Sequence, residues 1–103
     1  MDEETRKKLH MLIGSKVREA RTGKYSQEKL AEKINLKRTT ITSIEKGNHR
    51  VALDTLWNIA NILNLKLPEL LPQPEEVNLT FAEIARRTLT PAQRRWMDDV
   101  MGN

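Results

Sequence analysis

Apolar residues recur at helical spacing along most of the chain. Leu9, Leu12, Ile13, Val17 and Ala20 fall three and four apart and predict a first helix over residues 3–21 with one buried stripe. Glu3 and Glu4 stand where the positive end of a helix favours carboxylates. Gly14 costs about 1 kcal/mol against alanine inside a helix, which a close helix–helix approach would justify. The alternative is a helix that begins only near Leu9. Gly23, in Thr22-Gly23-Lys24, suits the left-handed position after a helix end.

Ser26 is a good N-cap for a second helix whose buried face holds Leu30, Ala31 and Ile34. Asn35-Leu36-Lys37 forms a turn, since Asn tolerates the left-handed backbone of a sharp reversal. A third helix runs from about Arg38 to Lys46, burying Ile41 and Ile44 and stopping at Gly47. Asn48-His49-Arg50 is a polar loop. A fourth helix follows over Leu53–Leu63. Leu53, Leu56, Trp57, Ile59, Ala60 and Leu63 cover more than one stripe, so burial on two sides is expected, with Asn64 as C-cap. Pro68 opens a short fifth helix in which Leu70 and Leu71 pack, and Pro72 ends it.

Pro72-Gln73-Pro74-Glu75-Glu76 reads as a linker, its prolines favouring extended backbone. Two short helical patterns follow. Phe81, Ile84 and Ala85 share a face of Thr80–Thr88, and Thr90-Pro91 opens a segment carrying Trp96, Met97, Val100 and Met101. These faces are too small to form a domain. The division is therefore 1–72 as one helical domain, 73–78 as linker and 79–103 as a C-terminal helical extension.

Composition narrows the class. The 103 residues, 38% hydrophobic and 31% charged, suit a single all-α core with an appendage. The absence of cysteine excludes disulfides and thiolate metal sites. No apolar run approaches the roughly 20 residues that span a bilayer, and the first residues lack the order of a secretion signal. A cytoplasmic protein without membrane association is expected. Adjacent carboxylates (Glu75-Glu76, Asp98-Asp99), two histidines (His10, His49) and no phosphate-cradling glycine loop make no catalytic, metal or cofactor site, so an enzyme is not expected.

Charge is uneven. Residues 11–50 hold ten Lys and Arg against four Glu, whereas residues 51–103 hold five basic and seven acidic residues. Charge clusters are usually solvated helix faces, but this one surrounds the third helix, whose outer face carries Arg38, Thr39, Thr42, Ser43 and Lys46. β-Branched threonines stabilise a helix surface poorly. Small hydroxyls beside Arg and Lys can instead reach base edges and phosphates. The competing use for Thr39 and Thr42 is a hydrogen bond to their own helix.

With IGSKVREAR, SQEKLAEKINLKRTTITSIEKG and VALDTLWNIANILNLKLPELL in order, the chain resembles the lambda-repressor-like, Xre-type helix-turn-helix regulators over about residues 10–72. The resemblance rests on Ser-Gln opening helix two, Leu-Ala in its middle, the Ile-Glu-x-Gly exit from helix three and Leu-x-x-Ile-Ala in helix four. It implies a five-helix DNA-binding domain and a homodimeric repressor, bacterial or phage, on a near-palindromic duplex operator, acting in the cytoplasm at the nucleoid. By position it implies base reading by Arg38, Thr39 and Ser43, with Thr42 a further candidate. Phosphate contacts would come from Gln27, Lys37, Thr40, Lys46, Asn48, His49 and Arg50, and a buried ion pair from Arg21 and Glu45. Two departures stand out: a one-residue-shorter interval from Arg21 to Gln27, and Asn35 where glycine is common. The other class of reading is an antitoxin or adaptor of the same fold. In it Phe81, Ile84, Trp96, Met97, Val100 and Met101 close a dimer, fold back on helix one, or dock a toxin or other regulatory protein.

Overall fold

The structure, a computed structural model, describes residues 1–88. The trailing segment with Trp96, Met97, Val100 and Met101 lies outside them. Helices α1 (Glu3–Arg21), α2 (Gln27–Lys33), α3 (Arg38–Glu45) and α4 (Leu53–Ile62) are followed by a 3-10 turn (Leu67–Leu70), α5 (Pro74–Val77) and α6 (Phe81–Thr88). No strand occurs among the described residues.

Local chemistry sets each boundary. The Asp2 carboxylate accepts from the Thr5 amide at 2.7 Å, so α1 begins at the chain's start rather than near Leu9. Ser26 Oγ accepts from the Lys29 amide at 3.0 Å and caps α2. Helices α2, α3 and α4 all end alike: Asn35, Gly47 and Asn64 take φ of 57°, 77° and 60°. The next residue's amide then reaches back to the last turn, Leu36 to Ala31, Asn48 to Ser43 and Leu65 to Ala60, at 2.8, 2.9 and 2.8 Å. This closure satisfies orphan carbonyls and reverses the chain within two residues. The α2–α3 angle follows from it.

The core is continuous through Ile13, Val17, Leu30, Ala31, Ile41, Ile44, Leu56, Ile59, Ala60, Leu63 and Leu70. Removing one such leucine costs about 2–5 kcal/mol. At its centre α1 crosses α3 at Gly14. A Cβ there would run into the Ile44 carbonyl oxygen and lie 2.7 Å from that of Glu45. The glycine is needed for the crossing.

Three expectations change. Helix four is buried on one stripe only, Leu56, Ile59, Ala60 and Leu63, while Leu53 and Trp57 stay 67% and 56% exposed. Described neighbours reach α4 from α2 and the 3-10 turn, leaving its outer stripe uncovered. The fifth helix is the 3-10 turn, and Leu71 just past it is exposed. The linker is not extended throughout, because Pro74 starts a helical turn in which Glu76 accepts from the Gln73 amide at 2.9 Å. That amide holds the Glu76 carboxyl below its usual range, with Lys16 Nζ at 3.4 Å adding to the effect against burial. Helices α5 and α6 lie along α1.

Gly14→Ala tests the crossing. Helix propensity alone favours alanine by about 1 kcal/mol, whereas overpacking costs about 1–3 kcal/mol. The clash with backbone decides the sign, so the urea midpoint is expected to fall. A raised midpoint would show that α1 and α3 can separate freely.

Candidate nucleic-acid interface

The surface around α3 is built on one carboxylate. Glu45 ends α3 with its side chain 3% exposed. Arg21 of α1 meets it in a fork, Nε to Oε2 at 2.5 Å and Nη2 to Oε1 at 3.0 Å. The guanidinium also donates to the Tyr25 carbonyl at 3.1 Å. Gln27, the first residue of α2, donates Nε2 to Glu45 Oε1 at 3.0 Å. Its Oε1 accepts from the Thr42 hydroxyl at 2.9 Å. The amide's orientation is fixed by these partners, since a carboxylate can only accept. The ion pair inferred for Arg21 and Glu45 is thus formed despite the short Arg21–Gln27 interval.

This network decides which side chains remain for a ligand. The Thr42 proton is engaged by Gln27 and by the Arg38 carbonyl at 3.1 Å, leaving its methyl and an acceptor lone pair. The own-helix bond weighed against base reading at Thr42 is therefore present. Gln27 keeps one amide hydrogen unused. Arg38 and Thr39 are exposed on the first turn of α3, and Ser43 is half-buried one turn on. Lys37 precedes the helix at its N-cap, Thr40 is half-buried, and Lys46, Asn48, His49 and Arg50 follow as an exposed run broken only by Gly47.

The basic residues separate by use. Between residues 11 and 50, Lys16 pairs with Glu76, Arg21 with Glu45, and Lys29 with Glu32. Lys24 donates to the Leu63 carbonyl, and Lys33 lies over the Tyr25 ring. The other five, Arg18, Lys37, Arg38, Lys46 and Arg50, make no side-chain hydrogen bond, ion pair or ring interaction with a described residue. All five lie on α3, at its two ends, or beside it. Arg18 is a site residue that the sequence motifs do not mark. It lines a cleft of about 220 Å³ with Gln27, Thr42 and Lys46, and its helical register three residues before Arg21 is the signal the sequence offers. Cations left free on one face make a polyanion surface.

Phe81 and Ile84, considered for a dimer or partner face, lie on the helix that packs against α1. Ile84 is fully buried and Lys8 Nζ sits 5.4 Å from the Phe81 ring centre. Of the uses weighed for them, folding back on helix one is the arrangement seen. Among the described residues there is no cluster able to hold a metal ion and no helix long and apolar enough to cross a membrane.

A short helix pair closed by a left-handed Asn, with free basic and hydroxyl side chains on the second helix, is the DNA-binding helix-turn-helix. The sequence profile of the family described as Helix-turn-helix (HTH_3) matches residues 17–70, and the chain belongs to that family, in its Xre or lambda-repressor-like form. It is a DNA-binding transcription regulator and not an enzyme. The chain is similar to the control protein C.BamHI of Bacillus amyloliquefaciens, 42% identical over 65 residues, which are 61% of this chain and 80% of that protein. It is also similar to the HTH-type transcriptional regulator ImmR of Bacillus subtilis, 26% identical over 86% of this chain and 71% of ImmR. Among solved structures, the restriction-modification controller protein C.AhdI from Aeromonas hydrophila superposes with a TM-score of 0.56 at 33% identity. The match covers 58% of this chain and 88% of that one.

Glu45→Ala would leave Arg21, whose side chain is only 14% exposed, without its carboxylate. Losing one partner of a buried pair costs about 3–5 kcal/mol, and the guanidinium's residual solvent exposure places this site at the low end. Urea unfolding of Glu45→Ala beside the double variant Arg21→Met/Glu45→Met measures it. Equal destabilisation of the two would mean that the unpaired charge is not the cause.

Proposed function

We propose that the chain acts as a homodimeric repressor that reads a near-palindromic duplex operator in the major groove. The observation that carries this is the free face of α3. The side chains of Arg38, Thr39 and Ser43 have no hydrogen-bond partner among the described residues, while the residues behind them are fixed by Glu45. Arg38 fits bidentate binding of guanine, and Thr39 and Ser43 fit shorter-range contacts to neighbouring base edges. Gln27, with its spare amide hydrogen, Lys37, Thr40 and the run Lys46 to Arg50 serve the phosphates on either side. C.BamHI is a control protein and C.AhdI a restriction-modification controller, which favours a controller of this kind over an antitoxin.

Selection of bound duplexes from random sequence tests the reading directly. Two half-sites about 34 Å apart are expected. Arg38→Ala should lower affinity by about 1–3 kcal/mol on the selected site and relax preference at one base pair. A uniform loss on every sequence would remove Arg38 from base reading.

Leu53 and Trp57 on α4, with Leu71, are the large apolar side chains left exposed beyond Met1 among the described residues. We assign the homodimer interface to this α4 face, in preference to Ile84, which the chain itself covers. Sedimentation of the full chain should give twice its 11.9 kDa mass, and Trp57→Glu should give the monomer. Unchanged dimer mass in Trp57→Glu would place the interface elsewhere.

A further inference from the structure

The first two turns of α1 extend past the recognition surface and meet the α3–α4 loop. Between them lies a cleft of about 400 Å³ lined by Arg6, Lys7 and His10 of α1, Lys46 and Arg50 of the loop, and Phe81 of α6. Its floor is rigid. Gly47 stands at φ 77° so close over α1 that a Cβ there would lie 2.8 Å from the Met11 Cα. The loop and helix one are therefore in direct backbone contact. Phe81 closes one side, with Lys8 over its ring.

Among the described residues, four permanent cations line this cleft, and Glu3 is the one carboxylate that does so. Glu3 holds Arg6 at 3.0 Å, which leaves Lys7, Lys46 and Arg50 without an acidic partner among the described residues. The mutual repulsion is visible at His10. Burial, then the charges of Arg50 and Arg6, hold its pKa below the ordinary value, with Glu3 opposing and His49 adding. An imidazole kept neutral still donates one N–H to an anion. Like charges converging in a fixed concavity beside a phosphate-gripping loop are relieved by an anion, and a phosphodiester is the anion continuous with that loop's own ligand.

We infer that Arg6, Lys7 and His10 of α1 join Lys46 and Arg50 in this cleft to hold a phosphate of the DNA backbone, a contribution from helix one beyond the phosphate contacts assigned to the helix-turn-helix and its loop. The inference rests on the DNA-binding reading above and extends the footprint to helix one. Its function is affinity and register rather than base preference, because phosphates carry no sequence information.

The test uses the full chain on its selected operator, comparing wild type with Arg6→Ala/Lys7→Ala and with Lys7→Gln alone, an exposed change that keeps the Arg6–Glu3 pair. The plot of log affinity against log salt should flatten by about one in slope for each phosphate that is no longer neutralised. Ethylation interference should lose a flanking phosphate in the double variant while base preference stays the same. Wild-type slope and interference pattern in both variants would overturn the inference although DNA binding stands. No binding by wild type to any duplex would overturn the function reading and the cleft's role with it. A third arm titrates inorganic phosphate against the His10 imidazole resonances. A shift there with an unchanged interference pattern would make the cleft a small-anion site and sink the backbone interaction.

Discussion

One buried carboxylate sets the geometry of this protein. Glu45 accepts from Arg21 of α1 and Gln27 of α2 while standing on the last turn of α3, so three helices are tied through two oxygens. A charge this deep is tolerated only when its lone pairs are filled, which makes the partners' positions obligatory. Gly14 imposes the complementary constraint on the other side, letting α1 approach the Ile44 and Glu45 carbonyls where any side chain would push it off. The fork holds the helices together and the glycine sets how near they come. The orientation of α3 depends on both, because this junction aims its outer face.

The same junction sorts the charge. A net excess of Lys and Arg between residues 11 and 50 would by itself fit a solvated surface. Arg21, Lys16, Lys24 and Lys33 are each engaged by a residue of another turn or element, Lys29 makes an exposed pair with Glu32, and those left over lie on α3, at its ends or beside it. Polyanion affinity thus comes from which cations the fold leaves unpaired, more than from how many the chain contains. A junction fixed by Glu45 spares the backbone further ordering on binding, whereas the free Lys and Arg side chains still lose rotamer freedom.

Much of the fold is legible in residue type. Asn35, Gly47 and Asn64 are the residues that tolerate left-handed backbone, and each takes it. Ser26 caps, and Ile41 and Ile44 are buried where the spacing puts them. The failures have physical reasons. Periodicity identifies apolar positions but not which stripe another element will cover, so Leu53 and Trp57 read as core alongside Leu56 and Ile59. Pro74 reads by its effect on the residue before it, whereas the following Glu76 makes it a helix start. Thr42 looks like a reading residue because its helical register is right, but its proton is shared between the own-helix Arg38 carbonyl, a use the sequence does suggest, and Gln27 across the turn, which it does not. Arg18 is inconspicuous because its register before Arg21 is the one mark its own helix gives it; its surroundings come from α2 and α3.

These misses share a cause that bears on specificity. Each concerns a relation between elements, and in this fold such relations decide what α3 offers to a base pair. Thr42 and Thr39 are the same residue type three positions apart on one helix, yet one hydroxyl is tied to Gln27 and the other is free. A change at Gln27 would therefore alter how the Thr42 hydroxyl is held, leaving it to the Arg38 carbonyl alone, without touching α3. What α3 offers on its outer face is thus set by the α2–α3 pair, and the buried Glu45 carboxylate couples the two.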